Sequence, residues 1–401
     1  MPIIEIEKNN TKYQFNNFKE YLEYYQQNIH KKTKNFTHFI NNAENENDIF
    51  EIKDDNNVDI KIKGATQILA NLIKENVPNG AKITNKIDGW NPGCAYRINS
   101  KEYFCKVLSG DVDGNYSWAS EIFAYKLMEN LGIGPKCNFK TIVGAEPLTM
   151  ITTESVYNNA KKTEDFPLKL NKREDIKNLG IVDLMMHIAL IDDIYYNYHN
   201  VASVNNKAVV FDVLAPPFDE NFNPITQNDY NEKLNCFDSY RNECSSSGSL
   251  ITEKQRDLGY LAAVREMQTK EFKNKFNNAV SKAFNDTKGY VAALESRCIT
   301  EKRKNIFNNL YNLKALEKYK DVIIDRFKNI DKLGRNTIEE GATKIIEARP
   351  SKYEYGGINH EVVKNWTIPF AKVANQNANL KVQKIFDKWK NYRRKSDSKS
   401  L

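Results

Sequence analysis

The sequence lacks any apolar run that approaches the roughly 20 residues needed to span a bilayer. Its start, MPIIEIEKNN, also lacks the basic segment and the apolar core that characterise a secretory signal. We therefore expect no transmembrane segment and no ordinary secretion signal, and we expect the protein to act in the cytoplasm.

Closely spaced cysteines are also missing. The six cysteines are scattered, without a CxxC pair and without an adjacent histidine; they are Cys94, Cys105, Cys137, Cys236, Cys244 and Cys298. Structural zinc sites show paired cysteines at short spacing, so this pattern argues against a zinc site. We expect buried or unreactive thiols in a reducing compartment.

Positive charge is confined to one end of the chain. Residues 371–401 hold nine basic and two acidic side chains, and this excess equals the whole formal net charge of +7. The rest of the chain is therefore balanced, unlike a uniformly basic protein that binds nucleic acid. We expect no nucleic-acid partner.

The basic tail also carries apolar residues. In LKVQKIFDKWKNYRRK, apolar side chains lie among the lysines: Leu380, Val382, Ile385, Phe386 and Trp389. This pattern is typical of an amphipathic helix that lies on a membrane surface and is attracted to anionic lipid headgroups. A packed terminal helix with a solvated end would give the same pattern, so both interpretations stay open.

Strand patterns and helix patterns are segregated along the chain. Residues 82–154 contain several alternating segments and one amphipathic segment, SWASEIFAYKLMENLG, which predicts a helix closed by Gly132. Later helix candidates are 174–193, 252–285, 287–297, 301–317, 318–332, 337–347 and 378–394. This order predicts an α+β protein with a β-rich lobe, a helical lobe and a cleft between them.

Composition divides the chain into four segments. Residues 1–60 are polar and Asn-rich with one aromatic helical stretch, YQFNNFKEYLEYYQQ, and are interpreted as a partly helical extension. The β-rich lobe is expected over 61–158 and the helical lobe over 159–350. The basic amphipathic tail is expected over 351–401.

The segment 181–214 is the most informative part of the sequence. An apolar, helix-like run ends in Asp192 and Asp193, a polar loop follows, and VASV-NNK-AVVF predicts a tight hairpin. Asn200 enters the first strand of this hairpin and Asp212 leaves the second. Amide and carboxylate oxygens at these positions can converge on one divalent cation, as in phosphoryl-transfer sites.

Four features occur in the order found in the protein-kinase superfamily. Lys106 lies among alternating apolar residues on the third predicted strand of the small sheet, YFCKVL, and Glu121 follows near the start of the amphipathic helix. The strand EPLTMITTES and the helix, loop and hairpin of 174–212 come next. The chain thus resembles atypical members of this superfamily, of the phosphatidylinositol-kinase-like and bacterial effector type.

The resemblance implies a bilobal fold that binds ATP together with Mg²⁺ or Mn²⁺. Lys106, paired with Glu121, would hold the ATP phosphates. Asn200 and Asp212 would bind the metal, with Asn197 as an alternative ligand in a shifted register.

The resemblance also implies a group that orients the acceptor hydroxyl. Asp193 or Asp192 would take this role, and His199 is a further candidate for base or orienter. His187 lies on an apolar helix and is interpreted as a core histidine.

Two further segments would contact the nucleotide. EPLTMITTES resembles the edge strand before the kinase hinge, so the backbone around Ile151, Thr152, Thr153 and Glu154 would meet adenine. A GxGxxG motif is absent, and Gly89 and Gly93 in GWNPG would take the place of the phosphate loop.

The sequence thus predicts an atypical protein kinase that transfers the γ-phosphate of ATP to a hydroxyl of a protein substrate. Further basic clusters suit a polyanion, either an inositol polyphosphate or a phosphoinositide headgroup; they are Lys161–Lys162, Lys169–Lys177 and Lys302–Lys304 with Arg297. Alternatives are a nucleotidyl transferase or a lipid kinase of the same fold, and a pseudokinase scaffold that binds anionic lipid. The eukaryote-like resemblance favours an injected bacterial effector that acts in the host cytosol or at a membrane surface.

Overall fold

The structure is a computed structural model of the chain. It describes residues 4–29, 49–54, 56–85, 93–108, 116–155, 173–191, 201–204, 207–210, 213–225, 262–298 and 300–330. Its strands are β1 (Ile4–Lys8), β2 (Thr11–Phe15), β3 (Ile49–Lys53), β4 (Asp59–Lys63), β5 (Lys82–Asn85), β6 (Gly93–Ile98), β7 (Lys101–Val107), β8 (Cys137–Thr141), β9 (Thr149–Glu154), β10 (Val201–Val204) and β11 (Lys207–Val210). Its helices are α1 (Phe18–Asn28), α2 (Ala65–Glu75), α3 (Trp118–Leu131), α4 (Arg173–Ala189), α5 (Lys270–Glu295), α6 (Glu301–Leu310) and α7 (Leu313–Lys328).

Antiparallel sheets and helices occur together, which confirms the predicted α+β class. The chain divides into two compact units, each assembled from separate segments. The first unit comprises Met1–Lys162, Val213–Ile225 and Asn278–Val322, and the second comprises Thr163–Asp212, Thr226–Asn277 and Ile323–Leu401. Within the described ranges, no helix combines the length and the apolar character needed to cross a membrane.

The first sheet lies at the start of the chain and has the strand order β2-β1-β4-β3. In β1 and β4, buried Ile4, Ile6, Ile60 and Ile62 alternate with charged residues. This period of two is the pattern of a half-buried strand, because successive side chains point to opposite faces. The partly helical extension expected over 1–60 therefore needs correction: it contains the expected helix, but also strands that were not predicted.

The expected helix of this segment is α1. The side chain of Asn17 accepts hydrogen bonds from two backbone N–H groups of the first turn, which caps the helix. Tyr21, Leu22 and Tyr25 are fully buried on one face of α1. Because these residues recur at helical spacing, the sequence sufficed to predict the helix.

The second sheet has five antiparallel strands in the order β5-β6-β7-β9-β8. These strands lie where the alternating segments predicted them, and α3 lies between β7 and β8 in the chain. α3 ends at Gly132, whose φ of 72° is in the left-handed region that favours glycine. β9 pairs with neighbours on both sides, so the expectation that EPLTMITTES forms an edge strand is wrong; the edges are β5 and β8.

Aromatic rings hold α3 in the core of the first unit. Trp118 meets Tyr311 edge-on with 5.7 Å between ring centroids, and Phe123 meets Tyr319 in the same way at 5.8 Å. Phe218 packs against Tyr319 at 6.0 Å. Each such pair contributes about 0.5–1.5 kcal/mol beyond its burial. The helix that carries the candidate acid is therefore firmly positioned.

The later helices begin and end at residues other than those predicted. α5 runs without interruption through Gly289, although a break was predicted between 285 and 287. The hydroxyl of Thr287 donates to the carbonyl of Ala283, and the side chains of Val291 and Leu294 are buried. This packing outweighs the roughly 1 kcal/mol by which a glycine weakens a helix interior.

In the second unit, β10 and β11 form the predicted hairpin. Val201 pairs with Val210, and Val204 pairs with Lys207 at the turn. α4 packs against β11. The hairpin expected between the candidate metal ligands is therefore confirmed for its two strands.

α4 ends earlier than the predicted range 174–193. Leu190 has a φ of 55°, and the N–H of Ile191 donates to the carbonyl of Met186 at 2.9 Å. A left-handed residue with such a backward hydrogen bond is a common helix termination. Leu190 is buried, so side-chain packing holds a non-glycine residue in this conformation.

Candidate functional site

Lys106 lies at the centre of the second sheet, on β7, and its side chain is half-buried. The register places Gly93, Lys106, Ile151 and Phe139 side by side in one row across four strands. Facing residues of antiparallel strands lie on the same face of the sheet. The lysine therefore projects from a strand that is held on both sides.

Gly93 has a packing reason to be a glycine. A Cβ at this position would lie 2.2 Å from the carbonyl oxygen of Cys105, so β6 and β7 approach too closely for any side chain. Consequently, no side chain flanks Lys106 on the β6 side of its row. Gly93 begins β6, and its role in a phosphate loop stays a prediction; Gly89 lies outside the described residues.

Glu121 lies in the first turn of α3 and is only 2% exposed. A negative charge is favoured there by the dipole of the helix. Glu121 also acts on Tyr311. Burial is the main cause of the raised pKa of Tyr311, and the charge of Glu121 raises that pKa further. Glu121 is therefore not the solvated acid that usually occupies a helix surface.

Tyr125 contacts two parts of the candidate site. It lies four residues after Glu121, on the same face of α3. The Nζ atom of Lys106 lies 5.9 Å from the centroid of its ring, within the range of a cation–π interaction. The Tyr125 hydroxyl accepts a hydrogen bond from the N–H of Val213 at 3.2 Å, and Val213 directly follows Asp212 in the chain.

Sequence reasoning missed Tyr125 and the rings around it. Tyr125 meets Phe139 edge-on at 6.2 Å, and Phe139 lies 6.1 Å from Tyr290. The Tyr290 hydroxyl shares a hydrogen bond with the hydroxyl of Thr149 at 2.8 Å. The spacing of four residues from Glu121 was a usable signal for Tyr125, whereas the contacts of Phe139 and Tyr290 depend on tertiary structure.

The backbone around Ile151–Glu154 is already engaged in the sheet. β9 pairs with β7 on one side and with β8 on the other. The N–H of Glu154 donates to the carbonyl of Lys136 at 3.0 Å, and that of Ser155 donates to the carbonyl of Glu102 at 2.8 Å. This corrects the expectation that these residues meet adenine through their backbone. An adenine contact of that kind would require residues after Ser155, which lie outside the described ranges.

The other predicted site residues fall outside the part of the chain that the structure describes; they are Asp192, Asp193, Asn197, His199, Asn200 and Asp212. Among the residues that are described, no group of three or more His, Cys, Asp and Glu side chains is placed to hold a metal ion. The metal ligands and the catalytic base therefore stay predictions.

Comparison with known proteins does not identify a family for this chain. It matches no protein-family model, no curated protein and no solved structure. The candidate site therefore has to be interpreted from its own residues and contacts.

Proposed function

We propose that the protein is an ATP-dependent phosphotransferase of the atypical protein-kinase type, with a bilobal kinase-like fold, that acts on a protein hydroxyl. The observation that carries the proposal is the double contact of Tyr125 with Lys106 and with the backbone N–H of Val213. Through these two contacts, Tyr125 links the strand lysine to the backbone at Val213 within the first unit.

The order of the elements also supports the proposal. A lysine on the third strand, followed by a helix with a buried acid in its first turn, is the order in which protein kinases present the strand lysine and its partner glutamate. Because β7 is paired on both sides, the backbone that carries Lys106 is held in place before the nucleotide binds. Charges held in advance in this way stabilise a transition state without reorganisation.

The remaining roles are assigned by resemblance. Lys106 and Glu121 would hold the phosphates, and Asn200 and Asp212 would bind Mg²⁺ or Mn²⁺. A bound metal ion neutralises charge on the phosphates. Asp193 would orient the acceptor hydroxyl. Phosphoryl transfer needs little covalent help from the protein, so positioning and charge account for most of the acceleration.

A labelling experiment tests the proposed activity. The purified full chain is incubated with either a mixture of host-cell proteins or extracted lipid, together with Mg²⁺ or Mn²⁺ and ATP labelled at either the α- or the γ-phosphate. Transfer of label from the γ-position alone is expected. Transfer from the α-position would instead identify a nucleotidyl transferase, and transfer to extracted lipid would identify a lipid kinase. No transfer in any arm, with ATP binding retained, would favour a pseudokinase scaffold.

A separate binding experiment tests the assignment of Asp212 as a metal ligand. Asp212→Ala is expected to abolish the metal dependence of ATP binding, measured by calorimetry. The matched variant Asp321→Ala removes an acid on α7 that is 69% exposed, and it should bind as the wild type does. Unchanged metal-dependent binding in Asp212→Ala would refute the assignment.

The same labelling experiment tests whether a polyanion activates the protein. Arg297, Lys302 and Lys304 are exposed around the start of α6, while Arg303 is held by Glu23 at 3.2 Å. Adding an inositol polyphosphate or vesicles with anionic lipid should therefore raise the rate of transfer, since several Lys and Arg donors suit such headgroups.

Tyr125→Phe is expected to lower the rate of γ-phosphate transfer about fivefold. The ring stays over Lys106, but the hydrogen bond to Val213 is lost, and a buried hydrogen bond contributes about 1 kcal/mol. The measurement is kcat and KM for ATP, together with a thermal melt. Tyr103→Phe, on the opposite face of β7 and stacked on Tyr96, should leave the rate unchanged. Equal rates for both variants would remove the main support for the proposed site.

A further inference from the structure

Two cysteines face each other across β6 and β7, next to the Gly93–Lys106 pair. Cys94 and Cys105 are a registered pair of these antiparallel strands, and both side chains are buried. Their Sγ atoms lie 3.0 Å apart, and the Cys105 thiol also lies 3.2 Å from the carbonyl oxygen of Cys94. The two sulfur atoms are therefore already in contact, although no disulfide joins them.

The backbone permits a bond between these sulfur atoms. Directly opposed residues of antiparallel strands have Cα separations of about 4.5 Å or about 5.5 Å, depending on the type of pair. Disulfides span Cα separations of about 4.4–6.8 Å. Both types of pair fall within this range, so side-chain rotation closes the remaining gap without a shift of either strand.

The acidity of the Cys94 thiol differs from that of the Cys137 and Cys298 thiols. Its hydrogen bond with Cys105 lowers the pKa of the Cys94 thiol; burial acts in the opposite direction, and the charge of Lys74 lowers the pKa further. By contrast, the pKa values of Cys137 and Cys298 are raised, in both cases mainly by burial. Because the thiolate is the reactive form, Cys94 is better suited to oxidation than either of these two.

A small oxidant has a route to this pair. Cys94 pairs with Asn85, the last residue of β5, and β5 is an edge strand of the sheet. The ends of edge strands open locally at low free energy. Hydrogen peroxide is close to water in size, so brief opening at this end of the strand admits it.

We propose that Cys94 and Cys105 are a redox-modification site, at which hydrogen peroxide forms a reversible cross-strand disulfide beside Lys106. The Cys94 thiolate attacks one peroxide oxygen, the O–O bond breaks, and the products are a sulfenic acid and a hydroxide that takes up a proton to become water. The Cys105 sulfur then attacks the sulfenic sulfur, the S–S bond forms, and the sulfenic oxygen leaves as water with the thiol proton. The two thiols lose two electrons in total, and the peroxide gains them. Two molecules of a low-molecular-weight thiol reverse the bond in two exchange steps, through a mixed disulfide, and leave as their own disulfide.

The experiment uses the reduced full-length protein and does not depend on the proposed phosphotransferase activity. The protein is treated with hydrogen peroxide, remaining thiols are alkylated, and the digest is analysed without reduction by mass spectrometry. We expect a cross-linked peptide that joins Cys94 to Cys105, two fewer alkylated thiols, and loss of the mass of two hydrogen atoms from the intact chain. Treatment with a thiol reductant should restore the two alkylated thiols and the lost mass, and should remove the cross-linked peptide.

Variants identify the residues responsible. Cys94→Ala and Cys105→Ala should each abolish the loss of two hydrogen atoms. Cys137→Ala should retain it, since the Cys137 thiol donates to Glu129 and is not part of the Cys94–Cys105 pair. The absence of the cross-linked peptide from peroxide-treated wild type would overturn the proposal, whether or not the variants fold. So would survival of the mass loss in Cys94→Ala.

Discussion

Replacing Lys106 by methionine is expected to lower the rate of γ-phosphate transfer by about 100- to 1,000-fold, the usual effect of removing one fixed electrostatic group from a phosphate or oxyanion site. Methionine keeps most of the length of the side chain but removes the ammonium. The lost contact of the Lys106 ammonium with the Tyr125 ring explains only a small part of the slower transfer, because a cation–π interaction contributes about 0.5–1 kcal/mol at a partly exposed site. The rate is measured with γ-labelled ATP, next to the free energy of unfolding in urea.

The same strand offers a matched control. Lys101 begins β7, and its side chain is 55% exposed beside Glu154. An exposed ion pair of this kind contributes about 0–1 kcal/mol to stability. Lys101→Met should therefore transfer phosphate at the wild-type rate. If both variants slow transfer equally, or if Lys106→Met remains fully active, Lys106 does not hold the phosphates.

Acid is expected to destabilise the second unit through His187. This histidine is buried in α4, and the guanidinium of Arg326 donates two hydrogen bonds to its carbonyl oxygen, at 3.2 and 2.8 Å. Burial, and then the positive charge of Arg326, lower the pKa of His187 from its ordinary 6.5 to about 3. The prediction that His187 is a core histidine is confirmed by its burial.

The direction of the pH effect follows from these two pKa values. Between about pH 3 and pH 6.5 the unfolded chain binds a proton at His187, whereas the folded protein does not. His187 therefore costs no stability above about pH 6.5, and the free energy of unfolding falls as the pH drops towards 3. Each pH unit in this window corresponds to about 1.4 kcal/mol. From about pH 7 to about pH 4.5, His187 should therefore lower the free energy of unfolding by about 2–3 kcal/mol.

His187→Gln isolates this contribution, because glutamine does not titrate. The four remaining histidines and the carboxylates are common to both proteins, so the difference between their pH profiles reports on His187 alone. Urea unfolding at several pH values should show a shallower decline for the variant. Parallel profiles would mean that His187 becomes protonated within the folded protein.

Local patterns were sufficient for most single elements. In β7, buried Cys105 and Val107 flank the half-buried Lys106, and α3 has helical spacing with Gly132 at its end. The hairpin of β10 and β11 has two short strands around a tight turn. These signals lie within a few residues of one another, so they can be recognised without knowing the fold. Lys106 and Glu121 were found in the same way, by their places on such elements.

Elements with weak local signals were missed. β1 and β4 alternate isoleucine with charged residues, but β1 to β4 have only five residues each in a largely polar, Asn-rich part of the chain, so each signal is short. The end of α4 depends on Leu190, a residue with no intrinsic preference for the left-handed region and held there by burial. Packing decides such cases, and packing partners lie far away in the sequence.

By itself, the sequence determined most of the strands and helices after the first 63 residues, where the charge lies, and that a lysine and an acid occur on successive elements. Only the tertiary structure decided which of these groups meet. The interior place of β9 and the pairing of Cys94 with Cys105 depend on strand order and register. The hydrogen bond between Tyr125 and Val213 joins residues 88 positions apart. Local preference acts between near neighbours, whereas order and register are set by contacts between residues far apart in the chain, which a single sequence does not reveal.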